Sequence, residues 1–363
     1  MNNQSEDLAI KFGAGRYRQG RGVLREAGRE LKRLGKRLYL LAGRQALDAV
    51  RDVLLESIEV SGLSYEIEVY EGSCSYEAAK RSAERCRKRQ ADVIVGIGGG
   101  RIMDFAKAAA EFAGTGVYLI PTSAATCAAF TSMSIMYRED GSYRNNWRYG
   151  HEADGVLVDL NVIAACPWRY SAAGILDAMA KWIEISNGQK ELLPEEVECD
   201  RYTAYAVARY VYDGLMRFGI QAIEDIREKR VSRAVEYMTF LNIAATGLSA
   251  NIVRSSGQSA LAHELYYQLR THFGKEIKDM LHGEIVGTGL LLQLKYNGME
   301  AELEQFYELL QDLSMPVSLS QLGIPETESN IHLLEKQLAA SLYVEDTEEA
   351  RQCFAASLRY LYR

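Results

Sequence analysis

Pro167 separates two sequence textures, and the contrast restricts the architectures open to this chain. Before it, short apolar runs alternate with amphipathic segments. Leu38 to Ala42 (LYLLA), Tyr65 to Tyr70, Val93 to Ile97 (VIVGI) and Val117 to Ile120 read as buried strands. Helical spacing of apolar residues fills the gaps, over 46–57, 76–88 and 102–112. Strands separated by helices of this length predict a parallel sheet with helices on its faces. After Pro167 the segments 171–187, 200–216, 231–251, 256–270 and 283–296 keep the helical period, with few β-rich runs. The expectation is an α/β domain over residues 1–166 and an all-α domain over 167–363, whose tail from Glu300 completes the helical core.

Composition narrows the function classes. With 363 residues, 48% hydrophobic and 25% charged, the chain is long enough for two domains sharing a cleft. The formal net charge is −7, so binding nucleic acid would need a local basic patch. Arg16, Arg18, Arg21, Arg25, Arg29, Lys32, Arg33, Lys36 and Arg37 supply a candidate. They alternate with apolar residues at helical spacing and read as a solvated helix face, so no nucleic-acid partner is expected. The six cysteines form no C-x-x-C pair, which fits free thiols in a reducing compartment. The N-terminal residues lack the regions of a signal peptide, and no apolar run approaches the ~20 residues of a membrane span. A cytoplasmic protein with no membrane association is expected.

The segment VIVGIGGGRIMDFAKA places Gly98, Gly99 and Gly100 between a strand and a helix. Such glycines let the backbone approach a ligand, and a helix N-terminus offers N–H groups to a diphosphate. A tight turn without a ligand would look the same. The G-x-G-x-x-G pattern is not met, because its last position is Arg101.

Together with IPTSAATCAAFTSMSIMY, FGAGRYRQGRGVLREAG and VLVDLNVIAACPWRYSAAGILDAMAKW, the segment GGGRIMDFAKA resembles the iron-containing alcohol dehydrogenase superfamily. The likeness is to its glycerol dehydrogenase branch, and there to a subgroup acting on 2-hydroxy and 2-oxo carboxylates. It runs from about Phe12 to about Leu294. It implies a Rossmann-like parallel sheet followed by a helical metal- and substrate-binding domain, as in dehydroquinate synthase. Gly99, Gly100 and Asp104 would lie at the cofactor diphosphate, and Thr122, Thr131, Met133 and Tyr137 along the nicotinamide. Branch members that use NAD place an acid after the first strand, where this chain has Gly43-Arg44. An Arg there can meet a 2′-phosphate, which favours NADPH over NADH; the alternative is that Arg44 simply starts the next helix in solvent.

Only five histidines occur. His263 lies in SSGQSALAHELYY and His282 opens LHGEIVGTGLLLQL, while Asp177 sits among small and apolar residues in AAGILDAMAKW. These three cannot share one helix face, so spacing alone does not make them a site. The resemblance implies that they are its Asp, His, His metal set, and two imidazoles with one carboxylate suit one divalent ion, Zn2+ or Fe2+.

Two departures from the branch bear on substrate. Glycerol dehydrogenases carry an acid in the loop after the Pro-Thr pair, where this chain has Cys127. A neutral Cys removes an acceptor for vicinal hydroxyls and a repulsion against an acidic substrate. After His263 the branch often has another His and an Asn-Gly, where this chain has Tyr266-Tyr267-Gln268, giving the pocket aromatic surface. The expected function is a metal-dependent oxidoreductase moving a hydride between NAD(P)H and a small 2-oxo or 2-hydroxy acid. No separate protein base is assigned. A polyol or glycerol dehydrogenase using NAD is the alternative. A dehydroquinate synthase-like cyclase would show a Lys- and Arg-rich phosphate set, and a non-catalytic sensor would not need a metal centre. The resemblance also implies a homo-oligomer.

Overall fold

The computed structural model describes residues 10–189, 191–253 and 260–362. Its strands are β1 (Tyr17–Gly20), β2 (Arg37–Ala42), β3 (Ser64–Val69), β4 (Val93–Gly98), β5 (Gly116–Pro121), β6 (Met133–Tyr137), β7 (Tyr143–Arg148) and β8 (Gly155–Asp159). Six of them form one parallel sheet in the order β1-β8-β5-β4-β2-β3, and β6 and β7 form an antiparallel hairpin. The helices of this half are α1 (Ala27–Leu31), α2 (Arg44–Val60), α3 (Tyr76–Lys88) and α4 (Gly100–Ala113). All four expected strands fall on the sheet, and β2, β4 and β5 are buried almost throughout. That burial on both faces is why they read as continuous apolar runs. Strands β1 and β8 and the hairpin were not legible in the sequence.

Beyond the sheet come α5 (Leu160–Ala165), α6 (Trp168–Ser186), α7 (Cys199–Arg227), α8 (Arg233–Phe240), α9 (Thr246–Ile252), α10 (Leu261–His272) and α11 (His282–Tyr296). Then follow α12 (Glu300–Asp312), α13 (Glu328–Ala339) and α14 (Glu348–Tyr360). The helical half was therefore read correctly in kind. The expected helix over 231–251 is interrupted by a π-helical turn at Leu241–Ala245 between α8 and α9. There the Thr246 hydroxyl donates to Leu241 O at 2.7 Å, and the Asn242 amide leaves its helix to donate to Ala124 O at 2.9 Å. A π turn of this kind re-aims side chains, and here it reaches the loop after β5. Of the helix expected over 256–270, residues 256–259 lie outside the described residues.

The basic N-terminal stretch differs from a solvated helix face. Arg16 and Arg18 stand at strand β1, and with Arg33 they surround the buried Glu30 at 3.1, 3.0 and 3.3 Å. Arg21 donates to Val231 O and Lys32 to Ser61 O. These cations serve the fold's own acceptors.

Helices α6 and α11 form the centre of the helical half. Residues 171–180 of α6 and 283–294 of α11 are buried without a break, as expected of helices covered on all sides. They approach closely because glycine faces backbone. A Cβ on Gly283 would lie 1.8 Å from Ala173 O, and one on Gly174 would lie 1.9 Å from Ala124 O. Gly283→Ala is therefore expected to destabilise the protein by at least about 1–3 kcal/mol, the range for overpacking. Thermal unfolding measures it against Gly150→Ala, where a Cβ meets nothing within 4 Å.

Candidate metal centre and nucleotide cleft

Asp177 lies in the middle of the buried run of α6 and is 6% exposed. An ionised carboxylate in such surroundings is costly unless positive or donor groups face it. Two imidazoles do. His282 Nε2 stands 3.2 Å and His263 Nε2 3.9 Å from the same oxygen, Asp177 Oδ1. One ligand atom from each of the three residues lies within 4.8 Å of the others. Burial pushes the Asp177 carboxyl up, but His282, Lys181 and His263 outweigh it and hold it at about 2. The carboxylate is thus kept charged within a pair of nitrogen donors, the donor chemistry of a divalent cation site. Asp177, His263 and His282, far apart in sequence, are brought together.

Each histidine stands at a helix start. His282 is the first residue of α11, and Glu284 closes that end by accepting from Leu281 N at 2.7 Å. Arg169, at the start of α6, forks onto the Glu284 carboxylate. His263 lies in the first turn of α10, whose opening N–H groups are bound by Glu184 of α6. One helix therefore carries Asp177 and organises the starts of both helices that carry the histidines.

The sheet supplies the glycine turn. Gly99 is the N-cap residue of α4, with no side-chain cap, and Gly100 begins the helix. Around them the side-chain hydroxyls of the next loop are close. A Cβ on Gly100 would lie 2.7 Å from Thr126 Oγ1, and one on Gly99 3.3 Å from Ser123 Oγ. Thr122, buried, donates its backbone N–H to Gly98 O at 2.9 Å. A 14-residue helix that begins in glycine at the end of a parallel strand has the form of a diphosphate cradle. Thr131 is buried further along the same loop, and Met133, half-buried, opens β6. Lys107 fastens that loop, donating to Ala128 O at 2.7 Å, Thr131 O at 3.0 Å and Met133 O.

Two residues named for the nucleotide make ion pairs within the chain. Asp104 points inward at 7% exposed, with Oδ1 3.1 Å from Lys107 Nζ and Oδ2 accepting from Ile135 N at 3.0 Å. Its carboxylate holds β6 in place. Arg44 begins α2 in solvent, and its Nε stands 3.6 Å from Glu71 Oε1. An acid thus lies beside the position where the sequence offered only an arginine.

The walls near the metal centre are aromatic and neutral. Tyr266 is 8% exposed and sets its ring edge-to-face against His282 at 4.4 Å. Tyr137 of the hairpin lies against Tyr266, and burial pushes its phenol well above the usual range. Tyr143 and Tyr267 continue that contact, with centroids 5.3 Å apart. Cys127 lies within electrostatic reach of Asp177 and Lys181, and burial pushes its thiol up to about 12, so the group stays neutral. Lys181 and Glu184 were missed in the sequence. They follow Asp177 on α6 at i+4 and i+7, the spacing that puts side chains on one helix face, so a signal was present.

Comparison with known proteins bears on this arrangement. A family profile described as iron-containing alcohol dehydrogenase matches residues 14–159, which contain the sheet and the glycine turn. The glycolaldehyde reductase of Halobacterium salinarum is 31% identical over 86% of this chain and 84% of its own length. The glycerol dehydrogenase of Thermotoga maritima is 31% identical over 85% and 84%. The solved structure of a probable glycerol dehydrogenase from Sinorhizobium meliloti superposes with a TM-score of 0.82 at 26% identity, covering 97% of this chain and 99% of that one. Among the described residues no helix is long and apolar enough to cross a membrane. With the likeness extending over both the sheet and the helical half, the chain belongs to the iron-containing alcohol dehydrogenase family.

Proposed function

We propose that this oxidoreductase is metal-dependent and moves a hydride between NAD(P)H and a small 2-oxo or 2-hydroxy carboxylic acid. The observation that carries the substrate class is the charge pattern at the centre. A cation, Lys181, acts on Asp177 from one helical turn away, and the neighbouring loop presents the neutral Cys127. A carboxylate substrate finds attraction there and no opposing acid in the loop. A vicinal diol would find no charged acceptor at Cys127.

Asp177, His263 and His282 fit one Zn2+ or Fe2+ ion, since a buried charged carboxylate and two ring nitrogens converge. Such an ion, when bound, supplies Lewis acidity toward the substrate oxygen. The glycine cradle fits the diphosphate of a nicotinamide nucleotide, whose ring supplies or takes the hydride. The chain's own part is placement. Gly99 and Gly100 let the backbone come close, while Thr122, Thr131, Met133 and Tyr137 form the wall beside the ring. Tyr266 packs on His282 and limits the room beside the cluster, which suits a substrate of few carbons.

Oxidation of a small polyol with NAD is the second reading, favoured by the names of the relatives and by Glu71. Arg44 supports NADPH, while Glu71 beside it would repel a 2′-phosphate and could bind a ribose diol. The outcome expected of Arg44→Ala is a roughly tenfold loss of kcat/KM with NADPH and little change with NADH, the size of one charge-assisted contact.

The deciding experiment follows oxidation of NADPH and NADH with 2-oxobutanoate, and reduction of NAD with glycerol, before and after chelation and with Zn2+ or Fe2+ restored. Metal-restored turnover of the oxo acid is the expected result. Turnover of glycerol alone would overturn the acid reading and leave the metal centre standing.

A further inference from the structure

The carboxylate of Glu184 is 3% exposed and lies two helical turns beyond Asp177 on α6. Three hydrogen bonds meet on it. Oε1 accepts from Ala260 N at 3.0 Å and from His263 N at 3.1 Å. Oε2 stands 2.6 Å from His263 Nδ1. One buried group therefore binds both the start of helix α10 and the ring that the helix carries.

We infer that Glu184 is a positioning residue that fixes the tautomer of His263 and thereby sets the cluster's affinity for a divalent ion. The inference rests on the reading of Asp177, His263 and His282 as a metal centre. A charged carboxylate only accepts, so the ring nitrogen facing it carries the proton. That nitrogen is Nδ1. The lone pair is left on Nε2, which points toward Asp177 Oδ1. The two backbone bonds to Oε1 hold the first turn of α10 against α6, so the ring cannot slide away from its partner. Partners behind a ligating His generally change metal affinity by about 10–100-fold when they are removed.

Glu184→Gln separates this role from simple packing. The glutamine has nearly the same shape, and its carbonyl oxygen can keep both backbone N–H bonds. Its amide nitrogen then faces Nδ1 as a donor, which forces Nδ1 to accept and moves the proton to Nε2. The opposite amide orientation would leave two buried backbone N–H groups without an acceptor, which is the costlier arrangement. The variant thus preserves the helix start and reverses the tautomer.

Zn2+ affinity is measured by competition with a chromogenic chelator, alongside the 15N spectrum of histidine-labelled protein, with His263→Gln to assign the signal. In the wild type loaded with Zn2+, His263 is expected to carry its proton on Nδ1. In Glu184→Gln, Zn2+ affinity is expected to fall about 10–100-fold, and the metal-free spectrum to show the proton on Nε2. Unchanged affinity in folded Glu184→Gln would overturn the inference. So would a wild-type His263 protonated on Nε2, a result that does not depend on Glu184→Gln folding. Failure of the underlying metal reading looks different, because the wild type would then bind Zn2+ no better than His282→Ala.

Discussion

Asp177→Asn is expected to lower metal-dependent turnover by at least about a hundredfold while leaving the fold intact. Both ring nitrogens address one oxygen of this carboxylate, and the residue is buried in α6. Asparagine keeps the volume and one oxygen but removes the charge. Attraction between unit charges about 4 Å apart is about 4 kcal/mol at an effective dielectric of about 20, and larger toward a divalent ion, which is more than two orders of magnitude in a binding equilibrium. The measurement is Zn2+ binding by competition together with kcat/KM at saturating nucleotide. Both should fall, and nucleotide binding followed by fluorescence should not, since the glycine cradle belongs to another part of the chain. Equal Zn2+ affinity in the two proteins would show that the ion, if any, is held elsewhere.

Lys181→Gln is expected to distinguish substrates. If its ammonium meets the substrate carboxylate, kcat/KM for 2-oxobutanoate should fall about 10–100-fold, the scale of 1.5–3 kcal/mol for a hydrogen bond to a charged group. Glycolaldehyde, which has a carbonyl but no carboxylate, should be turned over with nearly unchanged kcat/KM. Zn2+ affinity provides the control. Lys181 is a positive charge acting on Asp177, so its removal cannot weaken cation binding through electrostatics. A similar loss with both substrates would assign Lys181 to the cluster's geometry and remove the main support for an acid substrate.

What could be read before folding followed from local rules. Helix α3 came out at its full extent, because its apolar spacing is clean and Ser75 caps it by accepting from Ala78 N. Strands β2, β4 and β5 were visible as apolar runs. The β6–β7 hairpin escaped because its second strand, YRNNWR, is half-exposed and shows no clear alternation. Lys181 and Glu184 escaped for another reason. They stand in a helix whose apolar character drew attention to the core, and a charged residue within a buried run is itself a signal of partners.

The sequence by itself determined the alternation of strands and helices, the change of texture at Pro167, the glycine turn and the family. These depend on periodicity and capping within one element, or on motifs kept in chain order. Only the tertiary structure decided that Asp177, His263 and His282 share a point. That convergence depends on how near α10 and α11 come to α6, and the distance is set by glycines against backbone, such as Gly283 on Ala173. The same packing turned Asp104 inward to Lys107 and placed Glu71 beside Arg44. A residue's type limits the chemistry it can perform, but the partner it meets is chosen by elements far along the chain. The physical reason is that contact energies act over a few ångströms, and no local pattern records which distant segments close that gap.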